Sequence, residues 1–473
     1  MRIRFATQSY RSTARKLSAQ RCANMYTERQ SADAKTDIAV LSCPGILDFA
    51  TCGTGPLRGM WEFGDFVYAV SGTTLYRVDD QGAATNVGGA VTGIDPVIID
   101  DNGEQIFIAN GTDGYTYSIA GGFARVTDAN FIAGRSVTNT DGFFMVDRAG
   151  TNEFAMSDSL DGTSWDGSFF ASAEWKSDNV VRLLNHLERL NIFGERSTEV
   201  WGFTGAVNFP YQRIKGAGLE IGLIGPYALC TDSESIYIIG DDRAVYRAVG
   251  GGAQQISNTN PAIEAEWQSY RVIDDAICFS HMWEGHQFVY FTFPTQNVTF
   301  CLDRNTGLFH ERFSLDEFNN SLGRWRINCV CEAFGKILAG DRFSGKIGYL
   351  DRGTYTEFGN TIQADLISPP IHGDGATVQM PLFEMDVQTG VGATSGQGSD
   401  PQIMLSISDD GGETFEGPEM WESMGMTGVH KHRLAWHRLG SFEGSRCLRA
   451  VITDPVPRTI MGARCPGLVG VGG

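Results

Sequence analysis

The feature that most limits the possible folds of this chain is a pair of short apolar strands that recurs along most of its length. A clear example is the stretch 190–205, where an apolar strand ends at a Gly-Glu-Arg corner and a second strand alternates apolar and polar residues. About seven such units can be counted, at residues 66–78, 106–118, 142–156, 190–201, 236–247, 288–302 and 336–350. Repetition of this kind predicts an array of small sheets.

The spacing of the units selects among the all-β architectures. Their centres lie roughly 40–50 residues apart, which is the period of propeller blades. A β-sandwich with irregular hairpins is the alternative, but it gives no reason for even spacing over so long a span. We therefore predict an all-β fold with a β-propeller of six to eight blades. Helix is expected only as a short insertion between blades at 263–270, after a capping stretch at 257–261.

Changes in sequence character divide the chain into three parts. Residues 1–50 are polar, with mixed charge and little periodicity, and we expect an extended N-terminal arm that contributes to assembly contacts. Residues 51–360 carry the repeats and form the predicted propeller. Residues 361–473 contain longer alternating strands, interrupted by a polar Gly-rich loop at 390–400, and predict a separate β-sandwich module. Its Gly-rich tail, 467–473, is expected to need a neighbour to become ordered.

Charge and composition narrow the functional classes. The chain has 473 residues, 42% of them hydrophobic, and its 58 glycines suit many tight turns between short strands. Its formal net charge of −19 argues against a surface that grips DNA, which needs clustered Lys and Arg. The same charge would let DNA pass along the protein without adsorbing to it. Acidity is also common among soluble proteins.

Cysteine usage and the N-terminus indicate where the chain is made. Its ten cysteines are scattered, with no Cys-x-x-Cys pair, and several lie within apolar strands, as expected of free thiols in a reducing compartment. The first ten residues lack the apolar core of a signal peptide. No apolar run approaches the ~20 residues of a membrane span. We expect synthesis in the cytoplasm and no membrane span.

Adjacent aspartates are the first candidates for chemistry. Such pairs could supply glycosidase carboxylates or Ca²⁺ ligands. Most of them adjoin Gly, Asn or Arg at strand ends, where Asp is favoured for turn hydrogen bonds, and we interpret them as turn residues. The pairs are Asp79–Asp80, Asp100–Asp101, Asp241–Asp242, Asp274–Asp275 and Asp409–Asp410.

The stretch 408–415 matches the Asp-box pattern Ser-x-Asp-x-Gly-x-Thr-aromatic, and 159–165 is a looser relative. In such a hairpin the Asp caps turn amides while the aromatic residue closes the sheet edge, so the pattern predicts a folding device. Sialidases also carry Asp-boxes, at a distance from their chemistry. The motif therefore indicates a β-turn and says nothing about activity.

Three further patterns carry weaker signals. His430 and His432 would share one face of a strand, as metal ligands need, but only His437 is an obvious third ligand nearby. Cys329 and Cys331 have the same spacing and also lack companions. For both pairs, the simpler interpretation is that the two residues lie on one face of a strand and bind no metal. The glycines of 216–222 do not have the spacing of a dinucleotide loop. We therefore predict no catalytic, cofactor-binding or metal-binding residues.

Several motifs, taken in their order, resemble one family. Phe-Gly-Glu-Arg-Ser-Thr-Glu-Val-Trp-Gly-Phe-Thr-Gly at 193–205 is the longest. The set resembles the packaged-DNA stabilisation protein of short-tailed phages, also called the tail hub or nozzle, over nearly the whole chain. The chain differs in the Gly-rich loop 390–400 and in its Gly-rich terminus. The other motifs lie at 24–28, 43–46, 209–211, 220–225, 406–415, 433–440 and 448–455.

The resemblance implies a structural protein of the virion tail without catalytic residues. It implies one of six copies in a ring below the portal and its adaptor, which continues the DNA channel and stabilises the packaged DNA. The implied partners are other copies of the chain, the adaptor and portal, a tail needle or plug, and tail fibres or spikes, with DNA passing through the lumen without specific binding. No cofactor is implied.

Two other functions remain open from the residues alone. A glycan-binding or sialidase-like propeller, such as a tail-associated depolymerase, would need Arg, Tyr and carboxylate side chains gathered on one propeller face. A generic propeller scaffold is disfavoured by the ordered set of motifs.

Overall fold

The computed structural model describes residues 2–206, 209–316, 318–373 and 375–471. Within these ranges the chain forms 47 short strands, one α-helix and a single turn of 3-10 helix. This confirms the predicted all-β class with little helix. Six strands precede the first blade: β1 (Arg2–Ile3), β2 (Tyr10–Arg11), β3 (Ala19–Ala23), β4 (Met25–Arg29), β5 (Ile38–Ser42) and β6 (Gly45–Thr51).

Five four-stranded antiparallel sheets follow, and neighbouring strands in each are consecutive in the chain. Blade one contains β7 (Leu57–Phe63), β8 (Phe66–Ser71), β9 (Thr74–Val78) and β10 (Ala84–Gly89). Blade two contains β11 (Ile98–Asp101), β12 (Ile106–Ala109), β13 (Gly114–Ser118) and β14 (Gly122–Arg125). Blade three contains β15 (Val137–Thr140), β16 (Phe143–Asp147), β17 (Glu153–Asp158) and β18 (Asp161–Ser172). Blade four contains β19 (Val180–His186), β20 (Arg189–Gly194), β21 (Thr198–Phe203) and β22 (Tyr211–Arg213). Blade five contains β23 (Leu229–Thr231), β24 (Ile236–Ile239), β25 (Val245–Val249) and β26 (Gly252–Gln255).

The sixth and seventh blades are modified at their outer edges. The helix α1 (Pro261–Gln268) precedes blade six, and the Asn260 side chain accepts a hydrogen bond from the Ile263 amide at its first turn. The outer strand of blade six also pairs with a short extra strand, β31. Blade six is β27 (Ile277–Trp283), β28 (His286–Phe293), β29 (Val298–Asp303) and β30 (Leu308–Asp316), followed by β31 (Ser321–Arg324); blade seven contains β32 (Ile327–Ala333), β33 (Lys336–Asp341) and β34 (Lys346–Asp351).

Short hairpins and apolar blade faces explain why these residues build blades. The β7–β8 hairpin turns at Gly64 and the β8–β9 hairpin at Gly72, both with positive φ, which glycine adopts without strain. Alternate side chains then pack between blades: Tyr68 of blade one lies in the same cluster as Ile106 and Tyr117 of blade two.

The ring closes by combining the two ends of the propeller sequence. The fourth strand of blade seven is β6, which pairs antiparallel with β34, with Leu47 opposite Tyr349 and Ala50 opposite Ile347. Seven blades result, within the predicted range of six to eight. Because β6 directly precedes β7 in the chain, the pairing of β6 with β34 places the first strand of blade one next to blade seven.

Thirteen strands complete the C-terminal part. They are β35 (Thr356–Glu357), β36 (Asn360–Thr361), β37 (Ala364–Ile367), β38 (Ile371–His372), β39 (Thr377–Gln379), β40 (Leu382–Val387), β41 (Gln402–Ser408), β42 (Glu416–Ser423), β43 (Leu434–His437), β44 (Ser441–Phe442), β45 (Ser445–Ile452), β46 (Thr459–Arg464) and β47 (Val469–Val471).

The sandwich is built from both ends of the chain. One sheet has the order β4-β5-β46-β40-β43, with β1 paired to β46, and the other has the order β3-β37-β45-β41-β42. The core between them contains Phe5, Leu366, Phe383, Leu405 and Trp436. Burial of these side chains from the two inner faces holds the sheets together.

The prediction of an extended arm at 1–50 is therefore wrong for the described residues. Strands β1, β3, β4 and β5 complete the sandwich, and β6 is a propeller strand. The boundary at residue 50 falls inside blade seven. The sequence of this segment looks irregular because its strands are short and because β1, β3 and β5 pair with strands more than 300 residues away, as when Cys22 lies opposite Leu366.

One sheet passes from the propeller into the sandwich. Strand β3 pairs in parallel with β30 of blade six, with Ala23 opposite Glu311, and antiparallel with β37 of the sandwich. The Gly-rich tail pairs within the same chain, since β47 lies antiparallel to β39. The last two residues of that predicted tail lie outside the described residues.

Candidate functional site

The centre of the propeller is the first place where a ring of blades could act on a ligand or conduct one. The innermost strands of several blades surround a cavity of about 200 Å³, lined by Arg58, Trp61, Arg182, Tyr227 and Phe279 among others. A space of this size is far too small for a DNA duplex, whose major groove alone is about 12 Å wide. The propeller of one copy is therefore a filled body.

Arg58 shows why the polar groups of the cavity wall are structural. Its guanidinium donates hydrogen bonds to the carbonyl oxygens of Asp95, Gly72, Val91 and Thr92, at 2.7 to 2.9 Å. These carbonyls belong to blade one and to the connection into blade two. Arg58 thus ties two blades together at the ring centre.

Arg182 occupies a different position in the same wall. A β-bulge after Val180 shifts the register of β19 at this residue, and its guanidinium donates to the Pro226 carbonyl oxygen at 2.9 Å. Burial lowers the pKa of Arg182 to about 10, so the side chain still carries its charge at neutral pH.

A cluster of five charged side chains lies where the propeller meets the sandwich. Arg21 of β3 donates to Glu311 of β30 at 2.9 Å and to Asp365 of β37 at 2.6 Å. Arg449 of β45 donates to the same Asp365 at 2.8 Å, and Arg11 reaches Glu311 at 3.2 Å. The five groups follow the continuous sheet across the boundary, so ion pairs and backbone pairing join the modules at the same place. We call this set the junction cluster.

Electrostatics favour the charged form of the junction cluster. Burial alone would raise the pKa of Glu311, but the charges of Arg21 and Arg11 outweigh burial and hold it at about 2. The pKa of Arg21 is raised by the two carboxylates although burial opposes this. Both partners therefore remain ionised throughout the physiological range.

Two further charged or titratable residues of blade six, Arg312 and His286, contact neighbouring parts of the chain. Arg312 of β30 lies over the ring of Trp325, 4.3 Å from its centroid, and pairs with Glu357 at 3.3 Å. The ring nitrogens of His286 in β28 lie 2.9 Å from Asp303 and 3.8 Å from Glu28 of the sandwich strand β4. The hydrogen bond to Asp303 is the main reason why the pKa of His286 is raised.

The paired aspartates divide between turns and blade contacts. Asp79 accepts from the amides of Gln81 and Ala83, as the turn interpretation predicts. Asp100 is different, because it accepts from the Asn139 amide and the Thr138 hydroxyl of blade three. Burial raises the pKa of Asp100 to about 7. Its hydrogen bonds connect blade two to blade three, so we interpret it as a structural residue.

The remaining pairs follow the same division. Asp242 accepts from the Ala244 amide within a turn, whereas Asp241 accepts from the Gly222 amide and Asp275 from the Thr295 amide across longer distances in sequence. Sequence reasoning missed these longer contacts because nothing local distinguishes them from turn contacts.

The Asp-box forms the predicted folding device. Asp410 accepts from the Glu413 amide at 2.9 Å, the Thr414 amide at 2.9 Å and the Ser408 hydroxyl at 2.6 Å. These hydrogen bonds keep the pKa of Asp410 well below its usual range. In the looser copy, Asp161 accepts from Thr163 and the ring of Trp165 is buried.

The strand interpretation of His430 and His432 is wrong, since His430 lies in a turn and His432 in irregular backbone before β43. His430 shares a hydrogen bond with the Thr389 carbonyl oxygen, and His432 lies 3.8 Å from Glu422. Cys329 and Cys331 do lie in a strand, β32, where burial raises the pKa of both thiols. The glycines of 216–222 lie in irregular backbone outside any strand-to-helix turn.

The described ranges contain neither a metal-binding cluster nor a membrane-spanning helix. No group of three or more His, Cys, Asp or Glu side chains there is arranged to hold a metal ion. No helix in the described part of the chain is long and apolar enough to cross a membrane.

Two family models match the chain in succession. One, described as bacteriophage P22 Gp10, beta-propeller, covers residues 2–355. The other, described as bacteriophage P22 Gp10, beta-sandwich, covers residues 363–466. A search of curated proteins found no match.

Solved structures give only distant similarity. BamB from Moraxella catarrhalis shares 11% identity over 70% of this chain and 98% of its own, with a TM-score of 0.40. The N-terminal domain of Nup159 shares 9% identity over 70% and 99% of the two chains, with a TM-score of 0.40. PorZ of Porphyromonas gingivalis shares 11% identity over 66% of this chain but only 38% of its own, with a TM-score of 0.36. These similarities carry no argument about function.

Proposed function

From the premise that the chain belongs to the bacteriophage P22 Gp10 family, a structural family that stabilises packaged DNA in short-tailed phages, we propose that it forms the wall of the tail nozzle. In this proposal six copies form a ring below the portal and adaptor and extend the DNA channel. A contact between two different faces of the same chain closes into such a ring when the rotation between copies is right.

The observation that carries the proposal is the continuous sheet between the two modules. A wall that confines pressurised DNA needs subunits that do not bend at a module boundary. Here β3 pairs with both β30 and β37, and Arg21 bridges Glu311 and Asp365 across the same boundary. These contacts support a single stiff body.

The small propeller centre supports a DNA path between copies. Because the central cavity of one copy is about 200 Å³, we propose that the conduit for DNA lies on the axis of a ring. The net charge of −19 supports passage without adsorption, since like charges keep a phosphate backbone away from the wall.

We propose that the partners are the adaptor and portal above, a tail needle or plug below and tail fibres or spikes at the side. We propose no catalytic role, since Asp79, Asp241, Asp242, Asp275 and Asp410 accept hydrogen bonds from backbone amides and Asp100 accepts from blade three. Assays of reducing-sugar release from host capsule or lipopolysaccharide are expected to show none.

The assembly is tested by native mass spectrometry of the purified chain mixed with a portal–adaptor complex. We expect the complex to gain mass in units of 51.6 kDa, up to six. A chain that never joins the complex would overturn the proposal. A monomer in isolation would not, because phage tails assemble in sequence.

A further inference from the structure

The solvent face of one sandwich sheet carries several basic side chains, although the chain as a whole is acidic. Across β1, β46 and β40, Ile3, Ala463 and Met385 lie side by side and point into the core. Because side chains alternate along a strand, the neighbouring positions face outward. These outward positions hold Arg2, Arg464 and Glu384 in one row, and Arg4, Gly462 and Asp386 in the next, with Arg433 just before β43.

A groove runs along this face. It has two adjoining lobes, of about 820 Å³ and about 370 Å³, and Arg2, Met461 and Gly462 line both. The absence of a side chain at Gly462 leaves a depression in the middle of the sheet, and glycine within a strand often marks a place where another molecule can approach the backbone. A β-bulge at Met461, the extra residue of β46 between Gly462 and Ile460, interrupts the sheet at the same point.

Charge within the groove is positive. Glu384 is 3% exposed and is paired with two arginines, Arg433 and Arg464, whose side chains are 65% and 61% exposed. One carboxylate is thus paired with two exposed guanidinium groups, which leaves one positive charge in excess.

The other charges of the groove do not cancel this excess. Lys35 pairs with Asp386, and Arg4 pairs with Asp37 at 2.7 Å. Arg2 donates to the Thr36 hydroxyl at 2.9 Å, and no carboxylate among the described residues lies within ion-pair distance of it. Five Lys and Arg side chains against three carboxylates give the groove a net charge of +2 in a chain of −19.

We propose that this groove binds an extended acidic segment of another protein. The two lobes of the groove adjoin along β46, and an extended peptide is a shape that can follow a strand. The exposed guanidinium groups of the groove can bind carboxylates in forked pairs. A single-stranded nucleic acid fits less well, since the described lining residues include no exposed Phe, Tyr or Trp ring on which bases could stack. The inference does not depend on the proposed ring.

The test uses the full-length protein and a fluorescein-labelled hexaglutamate peptide, followed by fluorescence anisotropy at low salt. Hexaglutamine and a single-stranded hexathymidylate with the same label serve as comparison probes. We expect hexaglutamate to bind at least tenfold more tightly than either, and binding to weaken as salt is raised.

A double variant localises the binding. Arg2→Gln with Lys35→Gln removes two groove cations and leaves both partners of buried Glu384 in place, so we expect normal folding and at least fivefold weaker peptide binding. Arg148→Gln with Arg352→Gln removes the same charge from exposed propeller positions and is expected to change binding less than twofold. Equal binding of hexaglutamate and hexaglutamine would overturn the inference. So would equal effects of the two double variants, or hexathymidylate binding as tightly as hexaglutamate.

Discussion

The propeller and the sandwich reach the same kind of packing by different routes through the sequence. Six of the seven blades are built from four strands that are consecutive in the chain, so each can form from a local stretch, and only blade seven takes a strand from elsewhere. The sandwich brings together residues 2–42 and 364–464, and its core contains Phe5 beside Phe383, with ring centroids 6.0 Å apart. The propeller depends on local pairing and the sandwich on pairing between distant segments.

This difference explains how the chain becomes one body. An N-terminal segment that supplied only sandwich strands would leave a hinge at the module boundary. Here the same segment supplies β3 to the sandwich and β6 to blade seven, and it pairs with blade six as well. The distant pairings therefore lock the modules together.

Removing residues 1–42 should have the largest effect and separate the two modules. The truncated chain keeps β6, so we expect a folded propeller, but the sandwich loses β1, β3, β4 and β5 and exposes its core. Limited proteolysis with mass spectrometry should show rapid digestion beyond residue 360 and a resistant propeller. A truncation that removes only 467–473 is the control and should leave the sandwich resistant. A protected sandwich in the long truncation would contradict the account.

Replacing Arg21 by Met should be the most damaging single substitution at the module boundary. It leaves Glu311 and Asp365 each with one arginine partner, and breaking a buried ion pair typically costs about 3–5 kcal/mol in the free energy of unfolding. Denaturant unfolding measures the change, and we expect about 3 kcal/mol because Arg11 and Arg449 remain.

The matched control is Arg4→Met, which breaks the exposed pair with Asp37. Exposed pairs contribute up to about 1 kcal/mol. Equal losses in the two variants would show that the junction cluster has no special part in joining the modules.

The blade pattern was predictable because each blade is local. Units such as 66–78 and 190–201 show two strands and a turn within a short window, and their even spacing identifies a propeller. The helix at α1 was predictable from its capping residues. The C-terminal strands β40 and β41 were likewise visible as alternating runs.

The contribution of the N-terminal segment was not predictable in the same way. Strand β3 reads Ala-Gln-Arg-Cys-Ala, which shows no strong alternation, and its stability comes from β30 and β37 far along the chain. The junction cluster has no local signal either, because Arg21, Glu311 and Asp365 are separated by up to 344 residues. The His430–His432 error arose because a spacing of two suits a strand, although the backbone there forms a turn.

Substituting Asp410 by Ala should have a smaller effect, confined to the sandwich. It removes the acceptor for the amides of Glu413 and Thr414 in an exposed turn, and lost hydrogen bonds of this kind cost about 1 kcal/mol. Thermal unfolding checks the loss, with Asp79→Ala as the equivalent change in a propeller turn. A sandwich transition unchanged by Asp410→Ala would contradict the capping role.

The pH dependence from His286 should be the smallest effect. Its folded pKa is raised above the ordinary value of 6.5, so its contribution is fully present below pH 6.5 and is lost as the pH rises through the folded pKa. We expect a loss of up to about 1 kcal/mol across this window. Unfolding measured against pH should show a flatter profile for His286→Gln, while His437→Gln on the exposed end of β43 should follow the wild type.

Electron cryomicroscopy of DNA-filled particles that carry this chain tests the central claim most directly. The account predicts a closed ring below the adaptor, with DNA density on the ring axis between copies, no DNA density within any propeller and no bend between propeller and sandwich from copy to copy. Density for DNA inside a propeller, or modules that adopt different relative orientations in different copies, would contradict it.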